Sequence, residues 1–142
     1  MTQPKLSLVW TAEVDVGEKQ DLGAGPLGQR YIVPILGGRF EGPTLRGRVL
    51  AGGADRQCLR PDGVRVLDAL YEMQSDDGHL LTVHNRVIAD EAAPGGRYVR
   101  SVVQVQASHG PHAWLGNRVL VGALHSLRPA RQAVQVMVYL LE

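Results

Sequence analysis

Apolar residues recur at every second position along most of this chain. Leu6, Leu8, Trp10, Ala12 and Val14 alternate with Ser7, Thr11, Glu13 and Asp15, the period of a half-buried strand. Residues 30–36 continue in extended form but contain Pro34, which marks a sheet edge or a bulge because proline has no amide hydrogen to give a neighbouring strand. Short strands are predicted at 39–41 and 45–50, longer ones at 64–74 and 79–88, and three more at 98–106, 117–127 and 132–141. Residues 21–28 and 52–63 read as loops from their Gly and Pro content. No stretch of ten residues carries a helical stripe, although 54–59 and 111–115 could each form a single turn.

About nine strands without helices to cover an apolar face must close on themselves or stack. Glycines at 37, 38, 42 and 47 suit a tightly bent sheet, so the fold expected is all-β, a small closed or nearly closed antiparallel β-barrel forming a single domain over residues 1–142. A β-sandwich is the alternative.

The turn at Asp77-Gly78 is a strong hairpin signal. A two-residue turn pairs Asp76 with His79, and then Tyr71 with His84, Met73 with Thr82 and Ala69 with Arg86 on one face. A three-residue turn shifts this by one and pairs Leu70 with His84. In the first register a phenol, an imidazole and a guanidinium gather on one wall, a set able to polarise a carbonyl and move a proton.

Composition narrows the function. The chain has 15 basic and 14 acidic residues and seven aromatics, neither the charge excess nor the stacking surface that nucleic acid requires. No segment has the length of a membrane span, and the first residues are interrupted by Ser7, Thr11 and Glu13 where a secretory signal needs an apolar run. One cysteine, Cys58, cannot form an internal disulfide; with no signal segment, a cytoplasmic location is expected. Gly23 to Gly28 matches G-x-G-x-x-G but precedes a strand rather than a helix and contains Pro26, so it lacks the amide array that holds a pyrophosphate. His109 and His112, even with His84 or His125, lack recognised metal spacing. No cofactor and no metal are expected.

Several ordered stretches carry a resemblance: Ile32 to Pro43 (IVPILGGRFEGP), Gly52-Gly53-Ala54-Asp55, Asp76-Asp77-Gly78, Arg97 to Arg100 (RYVR), and Ala113-Trp114-Leu115 ahead of Val119 to Gly122. Together they resemble the family called domain of unknown function 3237, or uncharacterised protein family 0311, over nearly the whole chain. The resemblance implies a compact β-barrel and no particular activity. Arg56, Gly116-Asn117 and Gln106 stand where many members carry Trp, Asn-Arg and Glu.

Asp55, Arg100 and Trp114 lie in those shared stretches. Asp55 reads as a base on a rim loop or a turn cap, Arg100 as a clamp for an anionic or enolate oxygen or a structural ion pair, and Trp114 as a plug or platform at one barrel end. The catalytic set expected is therefore Asp55, Tyr71 and His84, with Arg86, Arg100 and Trp114 binding substrate. The function expected is a cofactor-independent acid/base enzyme of isomerase, cyclase, hydratase or lyase type, acting next to a carbonyl. Its alternative is a non-catalytic carrier or sensor. The partners expected are a small organic molecule and, for assembly, a second copy of the chain in a homodimer.

Overall fold

A computed structural model describes residues 3–142. Ten strands form one antiparallel sheet: β1 (Leu6–Val16), β2 (Gln20–Gly25), β3 (Gly28–Glu41), β4 (Arg46–Val49), β5 (Ala54–Leu59), β6 (Arg65–Ser75), β7 (Leu80–Asp90), β8 (Tyr98–Ala107), β9 (Leu120–Ser126) and β10 (Ala133–Leu141). β10, β9, β8, β7 and β6 follow β1 around the sheet, and β3 pairs back with β1 to close it. Between β6 and β3 one position is shared end to end, by β5 against Gln29 to Pro34 and by β4 against Gly38 to Glu41. The ring thus has eight positions, and β2 is a flap paired with the first half of β3. This is the closed barrel that the alternation predicts. No helix among the described residues is long and apolar enough to cross a membrane.

Burial follows residue parity through the central strands. Ala69, Tyr71, Met73, Leu81, Val83, Asn85, Val87, Val99, Ser101, Val103 and Val105 point inward, while Leu70, Glu72, Arg86, Ile88, Arg100 and Val102 face out. One half of the barrel is filled solid by Trp10, Met73, Leu81, Leu115, Leu120 and Val138, all at most 1% exposed, with Trp10 edge-on to Phe40 at 5.8 Å. The other half is walled by a smaller apolar group, Val87, Ala89 and Val99 with Leu67 and Leu124.

Four local expectations are corrected. Residues 21–28 are not a loop but β2 and its turn into β3, pairing Gly25 with Gly28. Residues 39–41 are the end of β3, which runs past Pro34 because that residue sits where pairing passes from β2 to β1. Ala54–Leu59 is a strand, neither loop nor helical turn. Its period was hidden because the residues it turns inward, Asp55 and Gln57, are polar.

The last correction is the β6–β7 register. Leu70 pairs with His84 and Tyr71 with Val83, as the three-residue turn requires. Ser75 N–H donates to His79 O at 2.9 Å and Gly78 N–H to Ser75 O at 2.8 Å. Gly78 takes φ +89°, the left-handed residue that ends a three-residue hairpin.

Candidate functional site

The half of the barrel that is not packed solid encloses a cavity of about 240 Å³. Its walls are mostly aliphatic, with Val14, Val33, Ile35, Leu67, Val87 and Val136 on every side. Into this lining project four polar side chains: Asp55 and Gln57 from β5, Tyr71 from β6 and Asn85 from β7. β5 sets the depth of the first two, since Asp55 pairs with Ala69 and Gln57 with Leu67, one and two inward steps above Tyr71. Gly53 lets β5 enter at this level. A Cβ there would sit 2.5 Å from the Tyr71 Cβ and 2.6 Å from the Leu70 carbonyl oxygen.

These four groups are buried and incompletely satisfied. Asp55 Oδ1, Gln57 Oε1, Tyr71 Oη and Asn85 Oδ1 have no hydrogen-bond partner among the described residues. Gln57 Nε2 donates to Asp55 Oδ2 at 2.9 Å, which orients the carboxyl and leaves its other oxygen toward the cavity. Buried polar atoms are nearly always paired, and each one left alone costs about 1–3 kcal/mol. Four around one cavity are the usual mark of a site rather than of a core.

Burial raises the Asp55 carboxyl from 3.8 to about 6, with the hydrogen bond from Gln57 opposing and the charge of Asp68 adding. Burial, and next the charge of Asp55, push the Tyr71 phenol well above its ordinary value. Near neutral pH Asp55 is therefore a carboxylate close to taking a proton, and Tyr71 is a firmly protonated donor. That pairing of a base with a hydrogen-bond donor can remove a proton beside a carbonyl and hold the oxygen that becomes negative.

Of the six residues singled out from sequence, the structure brings Asp55 and Tyr71 together and places the other four elsewhere. His84 lies on the outer face, its Nε2 2.5 Å from Asp68 Oδ1. Arg86 is exposed on the same outer side, opposite Asp68. Arg100 is also outside and donates from Nη1 to the Val99 carbonyl at 2.7 Å. All three occupy even positions in strands whose odd positions point inward, so the three-residue turn removes His84 and Arg86 from the face of Tyr71. Trp114 sits in the 3₁₀ helix Ala113–Asn117, 37% exposed, with the Arg118 guanidinium 5.8 Å from its ring centroid. Its neighbour Leu115 is the plug, at 1% exposed.

Gln57 and Asn85 were missed. Asn85 carried a legible signal: it is the polar residue on the otherwise apolar row Leu81, Val83, Val87 and Ala89.

A second cluster lies at the packed end of the barrel. Asp77 accepts from His112 Nε2 at 3.0 Å and from Ser75 Oγ, and His79 Nδ1 is 3.3 Å away. The ligand atoms of Asp77, His79 and His112 lie within 4.8 Å of one another, the grouping among the described residues that could hold a metal ion. Its hydrogen bonds already tie the β6–β7 turn to the start of the 3₁₀ helix, which gives it a structural role. His112 is thus joined by Asp77 and His79 rather than by His84, on the outer face, or His125, which lines the cavity.

Comparison with known proteins agrees with the resemblance seen in the sequence. The model of the family described as protein of unknown function (DUF3237) matches residues 4–141. A UPF0311 protein of Rhodopseudomonas palustris strain TIE-1 is 29% identical, the match covering 92% of this chain and 90% of that protein. A crystal structure of a conserved protein of unknown function from Rhodopseudomonas palustris superposes with a TM-score of 0.88 at 28% identity over 100% of both chains. A β-barrel-like protein from Acinetobacter baumannii gives 0.85 at 28% identity over 99% of each. A protein from Penicillium herquei described as an enzyme shares the fold, with a TM-score of 0.78 at 22% identity, covering 100% of this chain and 97% of that one. The chain belongs to the DUF3237 family.

Proposed function

We propose that this member of the DUF3237 family binds a small organic carbonyl compound inside its barrel and catalyses a proton transfer next to the carbonyl without a cofactor. The observation that carries the reading is the set of four buried, unpartnered polar atoms facing one apolar cavity. Asp55 takes the proton from the carbon beside the carbonyl. The electron pair left behind moves onto the oxygen, and the Tyr71 hydroxyl donates to the enolate so formed. The amide groups of Gln57 and Asn85 orient the ligand, and Gln57 also fixes the carboxyl. Returning the proton to another carbon gives an isomerisation, attack of the enolate on an internal electrophile a cyclisation, and loss of a neighbouring group an elimination. The same fold carries a protein described as an enzyme in Penicillium herquei, which is in keeping with a catalytic use of the barrel.

The test is exchange of the protons beside the carbonyl of 5-phenylpentan-2-one in deuterated water, followed by proton NMR. The wild-type chain should speed exchange over buffer alone, with a rate that rises with pH and is half-maximal near pH 6, where Asp55 ionises. Asp55→Asn should return the rate to background. Binding of the ketone with no acceleration would replace this reading by that of a non-catalytic carrier.

A further inference from the structure

The cavity opens at one end, and its rim is cationic. Lys19 reaches it from the β1–β2 connection, Arg65 from the start of β6, Arg97 and Glu91 from the β7–β8 connection, and Arg128 from the β9–β10 turn. Glu91 and Arg97 neutralise each other, Nε to Oε2, at 2.7 Å. Lys19, Arg65 and Arg128 form no ion pair with a carboxylate among the described residues, and the buried Arg65 Nε has no hydrogen-bond partner there. The acid that most favours the charge on Lys19, Asp21, is engaged elsewhere, its Oδ1 accepting from Gly23 N–H at 2.8 Å and Gln29 Nε2 at 2.5 Å. The Lys19 ammonium rests 4.2 Å from the Tyr31 ring centroid. Burial and then the charges of Arg65 and Arg128 lower its pKa, so Lys19 stands within electrostatic reach of both guanidiniums.

Such crowding is unfavourable unless an anion relieves it, and it is not inherited from composition, since the chain as a whole carries a formal charge of +1. Two guanidiniums also present planar forks that match the two oxygens of a carboxylate.

We infer that the substrate is an organic carboxylate whose anionic head is held at the mouth by Lys19, Arg65 and Arg128 while its apolar body carries the reacting carbonyl down to Asp55. This rests on the proposed use of the cavity as a substrate site. Register sets the length of the molecule. Arg65 stands four residues above Ala69, the cross-strand partner of Asp55, which is ~14 Å along the strand before the side chains reach toward each other. The carboxylate and the reacting carbon are therefore several bonds apart, and short 2-oxo acids are too small to span them.

Calorimetric titration with two molecules of matched shape, 4-phenylbutanoate and 5-phenylpentan-2-one, tests the inference at low ionic strength. The wild-type chain should bind the carboxylate about tenfold more tightly than the ketone, the worth of one charge-assisted contact, and added salt should erase the difference. Arg65→Met with Arg128→Met should bring the carboxylate down to the affinity of the ketone for the same variant. Lys19→Met alone, an exposed-loop change, should reduce the preference if the double variant fails to fold. Equal affinity for both molecules in the wild type would overturn the inference and leave the cavity reading standing. A preference that survives these substitutions, or tighter binding of 3-phenylpropyl phosphate than of the carboxylate, would also overturn it. Binding of none of these molecules would overturn both readings.

Discussion

Replacing Asp55 with Asn should make the folded protein more stable, by an amount that depends on pH. The carboxyl ionises at 3.8 in an unfolded chain and at about 6 in the folded one. Below pH 3.8 it is protonated in both states and costs nothing. As pH rises from there the unfolded chain gives up its proton first, so this residue lowers stability progressively, and above pH 6 the whole cost is present. The gap between 3.8 and about 6 corresponds to about 3 kcal/mol. Asn keeps the shape and cannot ionise, so its advantage should be small at pH 4, grow through pH 5 and 6, and level off at up to about 3 kcal/mol by pH 8. Urea denaturation of both proteins at each pH measures this directly, provided the two slopes against denaturant agree. A variant no more stable than wild type at pH 8 would refute the reasoning. So would an advantage equal at pH 4 and pH 8, since that would come from packing and not from a buried charge. Loss of proton exchange in the same variant would make Asp55 a residue kept for chemistry at the expense of stability.

Tyr71→Phe removes a buried hydroxyl that has no partner; stability in urea should rise by about 1–3 kcal/mol while the NMR exchange rate falls about a hundredfold. His84→Ala, Arg86→Ala and Arg100→Met alter the outer face and should leave ketone affinity and exchange within about twofold of wild type; a tenfold drop in a folded variant would return those residues to the site. His112→Ala removes the hydrogen bond to Asp77 at the packed end and should cost about 1–3 kcal/mol at pH 7. The hydrogen bonds from Ser75 and then from His112, with the His79 imidazole close by, hold the Asp77 carboxyl below its ordinary value. The stability it lends is thus present above pH 3.8 and lost as pH falls further, and the gap between His112→Ala and wild type in urea should narrow as pH falls below about 4.

The barrel was legible because strands with one face inside and one outside write period two into the sequence, and β1, β7 and β8 do so plainly. β5 was not, because its inward residues Asp55 and Gln57 serve the cavity and break the apolar rhythm that would have revealed it. The same conflict hid the site. Asp55 and Tyr71 could be reached from the shared stretches and the hairpin, but His84 and Arg86 entered with a two-residue Asp77-Gly78 turn, and Arg100 entered from the shared RYVR stretch although its even position in β8 turns it outward. Residue phase held the answer: in β7 the apolar members Leu81, Val83 and Val87 share a face, and pairing them with Tyr71 and Met73 demands the three-residue turn. Lys19 and Arg128 sit in connections, where no period exists, and only the folded chain shows that they meet Arg65.

Because Trp10, Met73, Leu81 and Leu115 fill the far half of the barrel, the cavity has one door. On the proposed reading, whatever is made there would leave along the path by which its precursor came, past Lys19, Arg65 and Arg128, and no second molecule would enter until it had gone. Product and precursor would then exclude each other, and a product that keeps the anionic head would slow turnover by waiting in the doorway. Kept filled, such a blind-ended chamber would respond to the ratio of the two molecules rather than to the amount of either.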